Sequence, residues 1–328
     1  MCIRTFLRLC LLGVTLLLPI RDAIASSFDE QEMHLAQLSQ DESLDLVTRA
    51  EATRILGQFS GPNALIAIGR ASRSLKPQMR IAAIQAAAQW NGPARWDLVS
   101  PLLDDANRQV STAAVMTLLP HWSQMTKVYR DKLSPYAKSY LSNLPNDLEG
   151  QLIAAWGDQA MGNLDGAEQR LQATYQHNPD ARVALGYSKV LVANNKPQQA
   201  QDLLEESLTH FPKSAALYHE LGRVLLAKGE SAASRNAYQK AYQIDTTLEQ
   251  YAFDYALALQ DDDPQASLHI IESLYAQSLS PQYLYAKCEV MLVQGIFAED
   301  CLADLTQATS QEVALLLREK NQQQLPKD

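Results

Sequence analysis

The stretch ARVALGYSKVLVANNKPQQAQDLLEESLTHFPKS (residues 181–214) runs directly into AALYHELGRVLLAKGESAASRNAYQKAYQIDTTL (215–248), and the two 34-residue strings carry one pattern written twice. In register, Ala184 falls over Tyr218, Tyr187 over Leu221, Ser188 over Gly222, Leu191 over Leu225, Ala200 over Ser234, Leu204 over Tyr238 and Ser207 over Ala241. Apolar residues recur at helical spacing on both sides of a short polar turn such as Lys228-Gly229-Glu230, so each string predicts a helix-turn-helix unit. A unit repeated at a fixed period cannot bury its apolar face alone. It predicts a stack of helical hairpins sharing one continuous core.

The segment Tyr218-His219-Glu220-Leu221-Gly222, followed by Ala227-Lys228-Gly229-Glu230, resembles the tetratricopeptide repeat (TPR) family. The resemblance implies a large residue near position 4 of each unit, small ones at 8, 20 and 27 where the two helices touch, and bulky ones at 7, 11 and 24. It also implies a surface for binding rather than an active site. In the family the first helix of each pair lines a groove, with positions 2, 5, 9, 12 and 13 pointing in. Carried onto this chain, those positions give Trp156, Arg182, Lys189, His219, Arg223, Phe253, Tyr285 and Glu289. Basic residues at the centre, flanked by aromatic ones, imply a groove for a protein or peptide segment with an acidic side chain or a C-terminal carboxylate. The competing reading is a solvated helix face that carries Lys and Arg as any surface does.

The array predicted from these repeats spans about 148–310. Residues 148–180 form a unit with one deletion, because Ala155, Ala167, Leu171, Thr174 and Pro179 lie 33 before Ser188, Ala200, Leu204, Ser207 and Pro212. A fourth unit, 249–280, is shortened by two at its Asp261-Asp262-Asp263-Pro264 turn, and a fifth, 281–310, has drifted. Residues 311–324 read as an amphipathic capping helix, with a tail to 328. In the fifth unit Cys288 stands at position 8 and Cys301 at or next to position 20, the two places where paired helices touch. The family geometry therefore implies a disulfide, with two buried thiols as the alternative.

Residues 28–121 carry a different period. Ala52, Ala83 and Ala114 are 31 apart, as are Leu56, Ala87 and Leu118, and Thr48, Met79 and Val110. The segments at 48–52, 79–83 and 110–114 resemble the second helix of short HEAT repeats, whose usual form is Val-Arg-x-x-Ala; Arg49 and Arg80 fit it, and Ser111 does not. First helices are expected at about 29–39, 63–73 and 94–104, with breaks at Gly61-Pro62 and Gly92-Pro93. Residues 122–147 have neither period and read as one or two adapter helices, Met125–Leu133 and Pro135–Leu144, ending at Pro145-Asn146-Asp147. The fold class expected is all-α, with two consecutive solenoids and no strand.

The first 25 residues read as a secretory signal. Arg4 and Arg8 precede the apolar run Leu9–Ile20, and Ala23-Ile24-Ala25 before Ser26 forms an A-x-A cleavage site. Spanning a bilayer needs about 20 apolar residues, and Arg21-Asp22 ends this run earlier, so cleavage is preferred over an anchor and stable membrane insertion is not expected afterwards. Cys10 sits inside the apolar run, unlike a lipidation site. A short leader of this style on an acidic repeat protein predicts the bacterial periplasm. The 328 residues carry 28 basic and 37 acidic groups, a net charge of −9. Cleavage removes three Arg and one Asp, leaving 25 against 36 and a net of −11. That balance argues against nucleic acid, whose phosphates demand concentrated Lys and Arg.

Catalytic and cofactor motifs are missing. The six His form no H-E-x-x-H, and no nucleophile elbow, Walker loop or dinucleotide fingerprint occurs. His177 and His210 recur in polar turns, and Asp261–Asp263 lacks the spaced ligands of a calcium loop. No catalytic residue, cofactor or metal is expected. The order of parts also resembles the haem-free tail of some secreted multihaem c-type cytochromes, in which HEAT-like units precede TPR units. This chain has no C-x-x-C-H for haem, so the resemblance implies a scaffold linked to cytochrome or cell-envelope assembly. The competing class is a helical-solenoid enzyme, or a subunit of one, acting on cell-envelope material. It requires two acids about 5–10 Å apart in a cleft, and the spacing singles out none.

Overall fold

A computed structural model describes residues 18–324, with side chains from 28 to 321. The start of the expected leader, residues 1–17, lies outside the described residues, and the Ala23-Ile24-Ala25 triad falls within the backbone of the first helix. The described chain is all-α, eighteen helices with no strand among them. No helix among the described residues is long and apolar enough to cross a membrane. Two compact units emerge. One comprises residues up to 146 together with 160–163, and the other 147–159 together with 164 onward.

The first unit is built from α1 (Leu18–Gln40), α2 (Leu46–Ile55), α3 (Pro62–Ala71), α4 (Pro77–Ala87), α5 (Gly92–Val99), α6 (Arg108–Leu118) and α7 (Lys127–Ser142). Helix starts follow from local chemistry: Asp45, Asn107 and Thr126 accept backbone N–H bonds as N-caps, and Pro62 and Pro77 occupy first-turn positions where no N–H is needed. Gly61 offers no capping side chain before α3. The buried Glu32 of α1 supplies it from outside, accepting from the Gly61 and Ala64 amides at 3.1 and 3.0 Å. Helix α1 packs on α2 and α3, α2 on α4, and α4 on α6, so second helices stack on second helices.

The 31-residue spacing marks that stacked core: Ala52, Ala83, Ala114, Leu56, Ala87 and Leu118 are all buried. Met79 and Val110 are buried as well, but Thr48 is exposed and donates to its own N-cap Asp45 at 2.6 Å. The expected helix 94–104 divides at Val99, and residues Ser100–Asp104 tighten into a 3-10 turn because Pro101 has no N–H to continue the ladder. Residues 127–142 form one helix through Pro135, with Leu133 and Ala137 fully buried. Arg80 is structural. Its guanidinium grips Asp105 with two bonds of 2.6 and 2.8 Å and also reaches the Ser74 carbonyl. That fork, with its charge, holds the Asp105 carboxyl below its ordinary range against the opposing effect of burial.

The second unit alternates first and second helices: α8 (Leu148–Ala160), α9 (Leu164–His177), α10 (Ala181–Ala193), α11 (Pro197–His210), α12 (Ala215–Ala227), α13 (Ser231–Ile244), α14 (Glu249–Leu259), α15 (Pro264–Ser278), α16 (Pro281–Val293) and α17 (Glu299–Ala308), closed by α18 (Gln311–Gln324). The turn inside four of the five pairs holds a left-handed residue at position 15, the shortened fourth turn having none. Gly162, Asn195, Gly229 and Gly295 fill it, with φ of 82°, 59°, 80° and 66°.

The hairpins close at positions 8 and 20. Gly222 lets the ring of Tyr238 lie against α12; a Cβ there would sit 2.7 Å from the ring. The buried Ser234 hydroxyl donates to the Gly222 carbonyl at 2.8 Å, and the buried Ser267 hydroxyl donates to the Ala256 carbonyl at 2.7 Å. Ser267 and not Ala266 therefore takes position 20, and the turn of the fourth unit is one residue short where two were expected. At the same place in the fifth hairpin Cys288 and Cys301 form a disulfide, with Cα atoms 5.6 Å apart.

Candidate partner-binding face

Position 5 of the repeat does not open onto a groove in this chain. The His219 ring lies 4.9 Å from Tyr251, and the Phe253 ring lies 5.0 Å from Tyr283. Tyr251 and Tyr283 each stand at position 3 of the following repeat, so position 5 packs one hairpin against the next. Phe253 is only 6% exposed and belongs to the core rather than to an apolar pocket. Tyr285 likewise packs partly buried on the cluster around Cys288 and Cys301.

The expected cations are matched with acids. Arg182 pairs with Glu149 at 3.2 Å and Asp180 at 3.3 Å. His219 Nε2 meets Asp254 Oδ2 at 2.5 Å, and Arg223 donates to the buried Glu220 at 3.0 Å. Burial opposes the Asp254 charge, but hydrogen bonds from His219 and Gln250, with the charges of His219 and Arg223, outweigh it and hold the carboxyl low. Burial above all, with the Asp254 charge, raises Tyr238 to about 12. This cluster of His219, Asp254, Arg223, Glu220 and Tyr238 clamps the third and fourth hairpins together. Only Lys189 of the expected basic set is exposed with no ion-pair partner among the described residues. Glu289, at the other end, is taken by Lys320 of the capping helix at 2.5 Å.

Two of these contacts, with a third, form rungs between successive first helices. Glu149 with Arg182, Asp254 with His219 and Glu249 with Tyr283 join residues 33, 35 and 34 apart. These six side chains are therefore occupied in holding one repeat to the next.

Beside Lys189 a row of apolar side chains stays open. Trp156, Val192, Leu226, Leu257 and Val293 are 41, 38, 52, 37 and 46% exposed, one on each of α8, α10, α12, α14 and α16. Their repeat positions are 9, 12, 12, 9 and 13, spacings that share one helical face. The second helices carry a single exposed large hydrophobic residue, Ile244, at the end of α13. Trp156 was legible from the family positions. Val192, Leu226, Leu257 and Val293 were missed because attention to charge passed over aliphatic residues at positions 9, 12 and 13.

A two-layered stack of helical hairpins with an open row along its first helices defines an α-solenoid. Within it, residues 188–248 match the family model described as tetratricopeptide repeat. Among solved structures, yeast Tom70 superposes with a TM-score of 0.60 at 11% identity, covering 98% of this chain and 76% of its own. YrrB, described as a TPR protein with an unusual peptide-binding site, gives 0.46 at 15% identity over 56% of this chain and 97% of its own. MamA gives 0.42 at 17% identity over 52% and 96%. The Tom70 likeness shows the fold. No characterised protein matches by sequence, and the resemblance to cytochrome tails finds no support in these comparisons.

Proposed function

We propose that the protein is a non-catalytic scaffold of the periplasm that holds a segment of a partner protein against the first-helix face of its second unit. One observation carries this reading: every first helix of the array exposes one large apolar side chain on the same face, whereas among the large apolar side chains of the second helices Ile244 alone is exposed. Isolated exposed hydrophobes need no explanation, but a row repeated through five hairpins marks an interaction surface. The partner segment presents apolar anchors to Trp156, Val192, Leu226 and Leu257, and an acidic residue opposite Lys189. This revises the carboxylate-clamp expectation, since Arg182, His219 and Arg223 already have acidic partners. The leader-like start of the sequence and the disulfide support the periplasm as its address. The enzyme reading has no observation in its favour: Glu220 and Asp254, two acids of this cluster, serve Arg223 and His219.

The test places a photo-crosslinking residue at Leu226 and, in a second chain, at Gln201 on a second helix. Crosslinks to a defined partner from Leu226 alone are expected, and Val192→Asp with Leu226→Asp should weaken that complex more than tenfold without lowering the melting temperature. Equal crosslinking from both faces, or unchanged affinity in the double variant, overturns the proposal.

A further inference from the structure

The first unit contains a buried arginine whose charge nothing around it answers. Arg95, in the opening turns of α5, is 8% exposed. One of its terminal nitrogens donates to the Trp90 carbonyl, while Nε is buried and has no hydrogen-bond partner. No carboxylate among the described residues pairs with it, and burial alone acts on the guanidinium, pulling its pKa down. A buried cation without a counter-charge is costly, and its cost is relieved by an anion that brings its own acceptors.

Arg95 lines a cavity of about 150 Å³. One wall is the stacked pair Trp96 and Tyr129, ring centroids 4.2 Å apart and 12° from parallel, and another is Leu118. His121 and Gln124 line it too, both able to donate or accept. His121 is depressed by burial and by the neighbouring Arg95 charge, with a hydrogen bond to Gln124 opposing them, so Arg95 is the cation that defines the site. A dry cavity of about this volume holds one benzene ring. One guanidinium balances one negative charge and matches the two oxygens of a carboxylate in a fork; a phosphate dianion would leave a charge uncompensated.

We infer that this cavity binds a carboxylate carried on an apolar body of about one ring, either a small organic acid or the C-terminal aromatic residue of a polypeptide. The site lies wholly within the first unit and stands or falls independently of the face on the second.

The experiment titrates the chain from Ser26 onward with phenylacetate and with its neutral isostere phenylacetamide, by calorimetry and by the Trp96 indole N–H resonance, assigned through Trp96→Phe. Phenylacetate should bind at least tenfold more tightly than the amide and shift that resonance. Arg95→Gln should bring the two within about twofold. A peptide ending in phenylalanine, with free or amidated terminus, separates the sources: tighter binding of the free-terminus peptide than of phenylacetate assigns a chain end, and equal or weaker binding assigns a small acid. Equal binding of acid and amide, binding of neither, a shift confined to other tryptophans, or a preference that survives Arg95→Gln overturns the inference. If Arg95→Gln fails to fold, the acid-to-amide ratio and the Trp96 shift on the unaltered chain decide it.

Discussion

Replacing Gly222 with alanine isolates the contact that closes the third hairpin. A Cβ at this position lands 2.7 Å from Cδ1 and Cε1 of Tyr238 and 3.0 Å from Cγ, where ordinary contact begins at 3.4 Å. The ring must retreat by several tenths of an ångström, yet it is 3% exposed and backed by His219 at 5.4 Å. Overpacking of this kind costs about 1–3 kcal/mol, against a gain of about 1 kcal/mol from exchanging glycine for alanine inside a helix. Gly222→Ala is therefore neutral to destabilising, by up to about 2 kcal/mol. The matched control is Gly186→Ala in the preceding first helix. There the added carbon meets Leu171 and Leu152 at 3.8–3.9 Å, which is ordinary contact, so the same gain of about 1 kcal/mol appears without the clash. Urea denaturation followed by circular dichroism reads the difference, with amide exchange across α12 and α13 locating it, since repeat arrays unfold locally. Gly222→Ala as stable as Gly186→Ala or more so refutes the reasoning. In a Tyr238→Ala background the penalty should vanish.

Three further outcomes follow from the same structure. Unreduced, unfolded chain from Ser26 onward should label no thiol; reduction should expose two and weaken the fifth hairpin by about 3 kcal/mol for a bridge spanning 13 residues, seen as lost exchange protection in α16 and α17. Two labels without reductant would remove the bridge from the account. Asp254 is held below its unfolded value of 3.8, so its contribution is present above about pH 4 and is lost as pH falls through the lower folded value. Asp254→Asn should lower stability at neutral pH and flatten its decline below pH 4, and an unchanged acid profile would show that the His219 contact does not hold that carboxylate. Arg80→Ala strands a carboxylate that is 8% exposed and should cost about 3 kcal/mol in the first unit, the lower end for breaking a buried pair. A loss below about 0.5 kcal/mol, typical of surface changes, would place Arg80 on the surface instead.

The paired-helix architecture was legible because a period writes itself in small residues as well as large ones. Ser188, Gly222, Ala256 and Cys288 are unlike in chemistry and alike in size, and each sits where a second helix presses against a first. The disulfide was legible for that reason alone. The candidate face was only partly legible. Transferring position 5 from the family assigned Phe253 to an open groove, but an aromatic residue at position 3 of the next repeat covers it. Nor does sequence show which acid lies 33–35 residues away on the neighbouring helix, so Arg182 and His219 read as free cations until Glu149 and Asp254 were placed beside them. Arg95 escaped notice because it matched neither repeat pattern, and only burial without a partner distinguishes it from a surface arginine.

These observations assign separate work to the two faces of each first helix. Positions 8 and 20 hold a hairpin together by whatever the pair of residues permits: a serine on a carbonyl in the third and fourth, and a covalent bond in the fifth. The fifth is the most divergent in sequence, and Gly295 is followed by the exposed Ile296 and Phe297 where other hairpins have compact polar turns. A crosslink that constrains the unfolded chain offsets weaker packing there without demanding any particular neighbour. Positions 2 and 5, with their acids and aromatic partners, fix one hairpin on the next. Register is therefore set by polar rungs and buried rings, which leaves Trp156, Val192, Leu226, Leu257 and Val293 outside those contacts. These side chains, which no packing requirement accounts for and which are apolar in five successive first helices, are the ones that the proposed partner explains.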